Sequence, residues 1–405
     1  MKKTSNKYHH LVWPLASLAL LLLYNAIFTE GFFKISIRKE EKAVVSQDAN
    51  ANKPAEQKPA DQQAVADDQT KPAEQQTVAQ QQSAEQSQPQ KEESGVSLFG
   101  YYLYGTPVDI LRQGSKVMIL AIGMTLVIAT GGIDISVGAV MAIAGAIAAL
   151  LISKLDPTGL GPAYYAIVPI LAGIFLATLC GFWNGMLVAG CGIQPMVATL
   201  VLMVSGRGVA QLITDGQIIT FENSGLVFLC NGHVLLLPFS VWIVVIMYIA
   251  AGLLTRKTAF GLFIESVGNN ERASRYAGIE ARRIKWLAYV ICGFCAGVAG
   301  LIAASDIKCA NSNKAGLYLE LDAILATVIG GTSMAGGRFF LSGSLVGAIL
   351  IQTLTTTMYM KDVSPSVIPL PNAMVVIIVC LLQSPVFRAK IFSLFASKSA
   401  KGGVQ

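Results

Sequence analysis

A chain of 405 residues in which 53% are hydrophobic and only 13% charged, with a mean hydropathy of +0.57, cannot be a water-soluble globule, which carries roughly a quarter charged residues. The net charge of +6 sits mainly in predicted cytosolic loops and tails and reports orientation; no basic stripe interleaved with aromatics marks a nucleic-acid surface. Seven cysteines and three histidines form neither a disulfide framework nor a zinc site.

Met1 to His10 is a short basic tail. Leu11 to Phe28 is an apolar run read as an uncleaved first span, because no small-residue cleavage site follows promptly. Residues 39–97 are dominated by Gln, Ala, Glu, Lys, Pro and Asp. Such a segment cannot bury enough apolar surface to offset chain entropy, so it is expected to be a disordered periplasmic insert. The membrane-embedded body, residues 98–384, follows, and then a basic tail, 385–405.

Hydrophobic runs place the second span at Ser115 to Thr130, the third at Ser136 to Ile152, the fourth at Tyr165 to Ala189 and the fifth at Met196 to Ile213. The sixth is Phe239 to Leu254, the seventh Leu287 to Ala304, the eighth Leu319 to Thr332, the ninth Ser342 to Tyr359 and the tenth Val367 to Leu382. A span needs about 20 apolar residues, so the shorter runs are extended by their flanks or partly re-entrant. The expected fold is therefore all-α and polytopic with about ten transmembrane helices in lipid. Ten spans put both termini in the cytosol, where Arg388, Lys390, Lys398 and Lys401 obey the positive-inside rule.

Between spans six and seven lies a basic island, Arg256 to Trp286. Gly268-Asn269-Asn270 breaks the chain there, and Glu271 to Ala277 is predicted to form a short helix ended by Gly278. It reads either as a plain connector or as a docking knob. The docking candidates are Glu265, Gly268, Asn269, Glu271, Arg272, Arg275, Gly278 and Ile279.

Polar groups at membrane depth are the other candidates. In Gly131-Gly132-Ile133-Asp134-Ile135-Ser136 an acid follows two glycines; Asp134 or Ser136 caps the next helix, or the segment lines a translocation path. Trp183, Asn184, Gln194, Thr199, Arg207, Gln211 and Gln352 interrupt apolar runs, either as interhelical hydrogen bonders or as solute contacts. Glu320 and Asp322 are placed to pair with Lys308 or Lys314. Gly331 to Arg338 has a phosphate-loop frame without its Lys and reads as a turn. Cys292-x-x-Cys295 has no second ligand pair, and Cys230 and Cys309 fall in predicted external loops, leaving a disulfide open. The chain thus carries no catalytic constellation, cofactor motif or metal set.

Three stretches carry a resemblance: ESVGNNERASRYAGI (Glu265 to Ile279), ATGGIDISVGAVMAIAG (Ala129 to Gly145) and LELDAILATVIGGTSMAGGR (Leu319 to Arg338). They resemble permease subunits of bacterial ABC importers for monosaccharides, the ribose and galactofuranose group. GTPVDIL (Gly105 to Leu111), GRGVAQLIT (Gly206 to Thr214) and LLTRKTAFGLFIE (Leu253 to Glu265) favour the galactofuranose branch. The resemblance implies an inverted-repeat permease fold in the inner membrane, with the island as coupling helix. It also implies three partners: a cytosolic ABC ATPase, a periplasmic sugar-binding protein and a second permease chain, identical or different. The insert is where the chain departs from that family. The rival reading, a self-sufficient secondary transporter or channel, needs intramembrane ionisable groups, and beyond Asp134 and Arg207 the spans offer few.

Overall fold

The computed structural model describes residues 9–29, 32–39, 101–155 and 162–364, and of the segment beyond them residues 367, 370–374, 377 and 381. The expected insert (all but Lys39), half of the tenth span and the basic tail lie outside the described residues. Helix α1 (His9–Phe28) leads to strand β1 (Ser36–Lys39); β2 (Tyr101–Tyr104) precedes α2 (Thr106–Ala129), α3 (Val137–Lys154) and α4 (Pro162–Gly185), which runs on into a π-helical turn, Met186–Gly190. There follow α5 (Pro195–Ile213), β3 (Ile219–Thr220), α6 (Ser224–Asn231), β4 (His233–Val234), β5 (Leu237–Pro238) and α7 (Phe239–Lys257). The chain continues through α8 (Ala259–Asn269), α9 (Glu271–Tyr276), α10 (Ala281–Ile307), β6 (Cys309–Ala310), α11 (Leu319–Ile329) and α12 (Leu341–Met360).

Among the described residues, eight helices (α1 to α5, α7, α10 and α12) are long and apolar enough to cross a membrane. They coincide with the expected spans one to seven and nine, with three differences at the ends. Helix α2 starts at Thr106 instead of Ser115, since Pro107 in its first turn presets the helical φ. Helix α10 starts inside the basic island, at Ala281, and closes at Lys308 with φ 52°. The expected eighth span is only the 11 residues of α11, about 16 Å of rise and too short to cross alone. Gly330 and Gly331 (φ +89°) turn the chain there.

Helix α10 is the centre of the bundle and packs on α2, α3 and α4. It approaches α4 most closely where Gly293 faces Gly181: a Cβ on Gly293 would stand 2.7 Å from the Gly181 Cα. Small residues at this crossing let the backbones themselves touch, the packing that replaces hydrophobic driving force in lipid. Polar locks fix the remaining register. Asn25 donates to Thr357 Oγ1 at 2.9 Å, holding α1 on α12. Arg112 and Lys116 of α2 reach Asp306 of α10 at 3.2 and 2.9 Å.

Among the described residues, three two-stranded antiparallel ladders accompany the helices: β1 with β2, β3 with β6, and β4 with β5. No disulfide joins Cys230 and Cys309; the Cys230 thiol instead faces Asp306 Oδ1 at 3.5 Å. Cys292 and Cys295 pack against Gly123 of α2.

Candidate functional site

The basic island is more structured than its composition indicates. Thr258 accepts the Phe260 N–H at 3.2 Å and starts α8, which buries Phe260, Ile264 and Val267 on one face. Asn270, extended at φ −158°, ends α8 and caps α9 by accepting the Ala273 N–H at 3.0 Å. Gly278, at φ +83°, takes the chain out of α9. The hydroxyls of Ser266 and Ser274 share a hydrogen bond of 2.8 Å that fastens the two helices together.

Glu271 holds this knob to α10. It accepts from Lys285 Nζ at 2.5 Å and from Arg275 Nη2 at 2.6 Å. The Lys285 hydrogen bond, above the other favourable contacts, keeps its carboxyl below the usual glutamate range. Glu265, Asn269, Arg272, Arg275 and Gly278 are exposed, and Gly268 and Ile279 half-buried. Tyr276, absent from the sequence candidates, is 93% exposed. An aromatic one residue after Arg275 and two before the terminating Gly278 was the legible signal for it.

A groove of about 870 Å³ runs between α8–α9 and the loop Ser333–Arg338. That loop, expected as a bare turn, is one wall of it. Behind the groove the backbones meet. Gly337 N–H donates to the Ala129 carbonyl at 3.0 Å, and Gly268 lies directly against the same oxygen. The knob is thereby seated on the turn that ends α2.

That turn opens into the segment 130–136. Asp134 Oδ1 accepts from Ser136 N–H at 3.0 Å and Ser136 Oγ at 2.6 Å. Asn184 Nδ2 donates to Ser136 Oγ at 2.8 Å. Tyr289 Oη donates to the Ile133 carbonyl at 3.4 Å, and Thr199 Oγ1 lies 3.5 Å from it while donating to Pro195 at 3.0 Å. Ser136, one of the two expected caps, is the N-cap residue of α3, but its hydroxyl makes no cap bond and donates to Asp134 Oδ1 instead.

The candidate path residues therefore divide. Asp134, Ser136, Asn184 and Thr199 form one buried network, with Gly132 buried beside Tyr289 Oη and Gly131 at φ +80° in the turn below. Trp183, next to Asn184, is 52% exposed on another side of α4. Gln194 is exposed at the start of α5, and Gln211 is exposed with its Nε2 donating to Asn313 Oδ1 at 2.5 Å. Gln352 Nε2 donates to Thr356 Oγ1 on its own helix at 3.4 Å. Among the described residues no three His, Cys, Asp or Glu side chains gather as metal ligands.

Residues 106–384 match the family described as "Branched-chain amino acid transport system / permease component". The chain belongs to this permease family. With several membrane-crossing helices, the permease is a multi-pass inner-membrane transport subunit. It is similar to the galactofuranose transporter permease protein YtfT of Escherichia coli (strain K12), 52% identical over 285 residues, 70% of this chain and 81% of that one. It is 41% identical over 303 residues to the fructose import permease protein FruF of Bifidobacterium longum (strain NCC 2705), covering 74% and 82%. The ribose import permease protein RbsC of Escherichia coli (strain K12) is 36% identical over 280 residues, 68% and 84%. No solved structure matches the permease.

Proposed function

We propose that the permease conducts a monosaccharide of the galactofuranose kind across the inner membrane. In this reading it pairs with a second permease chain, receives its sugar from a periplasmic binding protein and is driven by a separate cytosolic ATPase. The basic end faces the cytosol, as the concentration of Arg256, Lys257, Arg272, Arg282 and Arg283 on one side of the bundle favours. The relatives named above all carry sugars in their names, which weighs for a sugar over the amino acids in the family description.

One observation carries the mechanism: the knob α8–α9 rests, through Gly268 and Gly337, on the Ala129 carbonyl from which the Asp134 segment departs. Docking of the ATPase on Glu265, Arg272, Arg275 and Tyr276 pushes the knob as a lever. The push passes from Ala129 into residues 130–136 and so to α4 and α5 through Asn184 and Thr199. Packed cores respond to such a push by switching between discrete arrangements rather than by gradual bending, which suits alternating access.

The test is uptake by the full importer in vesicles, with labelled D-galactose, D-ribose, D-fructose and L-leucine. ATP-dependent uptake of a sugar is expected, and its loss in Arg272→Glu with Arg275→Glu while membrane insertion stays normal. Accumulation by the permease alone on an ion gradient, or preference for leucine, would overturn the reading.

A further inference from the structure

A second polar cluster lies away from the Asp134 network, on α5, the 311–318 loop and the start of α11. Arg207 Nη1 donates to the carbonyls of Ala315 at 2.8 Å and Asn313 at 3.3 Å. Its other amine, Nη2, is buried and has no hydrogen-bond partner. Gln211, one helical turn on, holds the Asn313 side chain. Glu320 is only 2% exposed, and its Oε2 likewise has no partner. The Arg207 guanidinium is close enough for its charge to act on Glu320, yet no direct ion pair joins the two among the described residues.

The cluster sits deep. Glu320 Oε2 presses on the backbone of Gly138, where a Cβ would come within 2.2 Å of it. Gly138 is about 24 Å of helical rise from the far end of α3 at Lys154, and Glu320 is about 14 Å from the opposite end of α11 at Ile329, so neither is at a membrane face. Gly206, the neighbour of Arg207, touches Ala139 and Ile143 of the same helix, so Arg207 lies at similar depth. Gln211 and Asn313 are nevertheless exposed in the protomer. Polar groups at such depth face a water-filled cavity or another chain, since acyl tails offer them no partner. At the same place Tyr318 is 58% exposed and is held at φ +67° as the N-cap of α11.

We propose that Arg207, Gln211, Asn313 and Glu320, with the Tyr318 ring as platform, form a contact site for the hydroxyls of a neutral sugar on its way through the permease. The chemistry selects that class. A sugar hydroxyl both donates and accepts, so one set between the two orphaned atoms satisfies the Glu320 acceptor and the Arg207 donor together. Buried polar atoms without partners cost stability, which a bound hydroxyl recovers. An exposed aromatic ring beside a few convergent polar groups supplies the apolar face that a sugar ring also requires.

The inference rests on the sugar reading above, and the test separates the two. The importer, assembled with its ATPase and binding protein in proteoliposomes, is assayed for ATP-driven uptake of D-galactose and 2-deoxy-D-galactose. Variants are Glu320→Gln, Gln211→Ala and Tyr318→Ala. Each is expected to shift the ratio of the two uptake rates by about tenfold, the size of one lost hydroxyl contact, with insertion and assembly unchanged. A merely structural cluster, bridged by water, would slow both sugars by the same factor or neither, and that result overturns the site. If a variant fails to insert, Gln211→Ala with Asn313→Ala, both at exposed positions, gives the ratio instead. Absence of sugar uptake by the unaltered importer would overturn the transport reading itself, and the ligand class with it.

Discussion

Gly268 and Ala129 meet backbone to backbone: a Cβ placed on Gly268 would stand 1.9 Å from the Ala129 carbonyl oxygen. Neither partner can yield by turning a side chain. Gly268→Ala is therefore expected to push the knob off the end of α2, at a cost of roughly 1–3 kcal/mol by overpacking. Purified protein should melt several degrees lower and importer uptake should fall. Gly278→Ala is the control: its φ of +83° strains any side chain but the space around it is open, so it costs about 1 kcal/mol. Equal melting points for the two variants would refute this account of the junction.

The Glu271 clamp carries a pH signature. Its carboxyl in the folded protein titrates below the ordinary 4.5, chiefly because Lys285 donates to it. A depressed carboxylate contributes stability that is present above its unfolded value and is lost as pH falls through the folded one. Hydrogen exchange of the α9 amides, taken relative to the intrinsic rate, should thus be constant near neutrality and speed up over the acid range below the ordinary 4.5. In Glu271→Gln it should be faster throughout and flat over that interval. The global melting point should barely move, since exposed ion pairs stabilise weakly.

Asp134 is bound into a buried network, and its variants separate structure from ion coupling. Asp134→Ala leaves the Ser136 N–H and hydroxyl without their acceptor, at about 1–3 kcal/mol per orphaned group. Asp134→Asn retains an acceptor oxygen. The expected order of melting points is wild type, then Asn, then Ala, with uptake following the same order. Unchanged melting with abolished uptake in Asp134→Asn would point to proton or ion coupling instead.

At the far end of α10, Asp306 faces Arg112 and Lys116. Asp306→Ala abandons two cations that are largely shielded from water, a change worth about 3–5 kcal/mol. Folded yield in the membrane should drop sharply. Asp306→Asn with Lys116→Met removes one of the stranded charges and should recover part of the yield; no recovery would mean the cluster is not an electrostatic lock.

The same cluster explains where the sequence misleads. Asp109 and Arg112 make the start of α2 look like a loop, because the partner that answers Arg112, Asp306, lies 194 positions away. Apolar runs mark helices locally; which polar residue answers which is a property of packing. Helix α8 was legible in principle, with Phe260, Ile264 and Val267 at helical spacing, but the basic residues around them suggested a connector. The Gly330-Gly331 pair that cuts α11 short is likewise visible: Gly331 opens the stretch that reads as a turn, although the apolar run carries the expected span on to Thr332.

The candidate site was half readable. Asp134, Asn184 and Thr199 stood out as polar residues in apolar surroundings, and the structure brings them together. Nothing in one dimension says that Asn184 is buried while Trp183 beside it is exposed, because consecutive helical side chains point about 100° apart. Arg207 and Glu320 each stood out too; that they lie at one depth depends on Gly138 and Gly206, whose value is the side chain they lack.

Strand β1 ends with Lys39 opposite Tyr101 of β2, and Ser36 lies opposite Tyr104. The two points at which residues 40–100 join the fold are thus zipped side by side. The entropy of closing a loop grows only slowly with its length, and here the ladder does the closing whatever that length is. A reporter grafted between those two points is therefore expected to leave the register of the spans, and so sugar uptake, as it was.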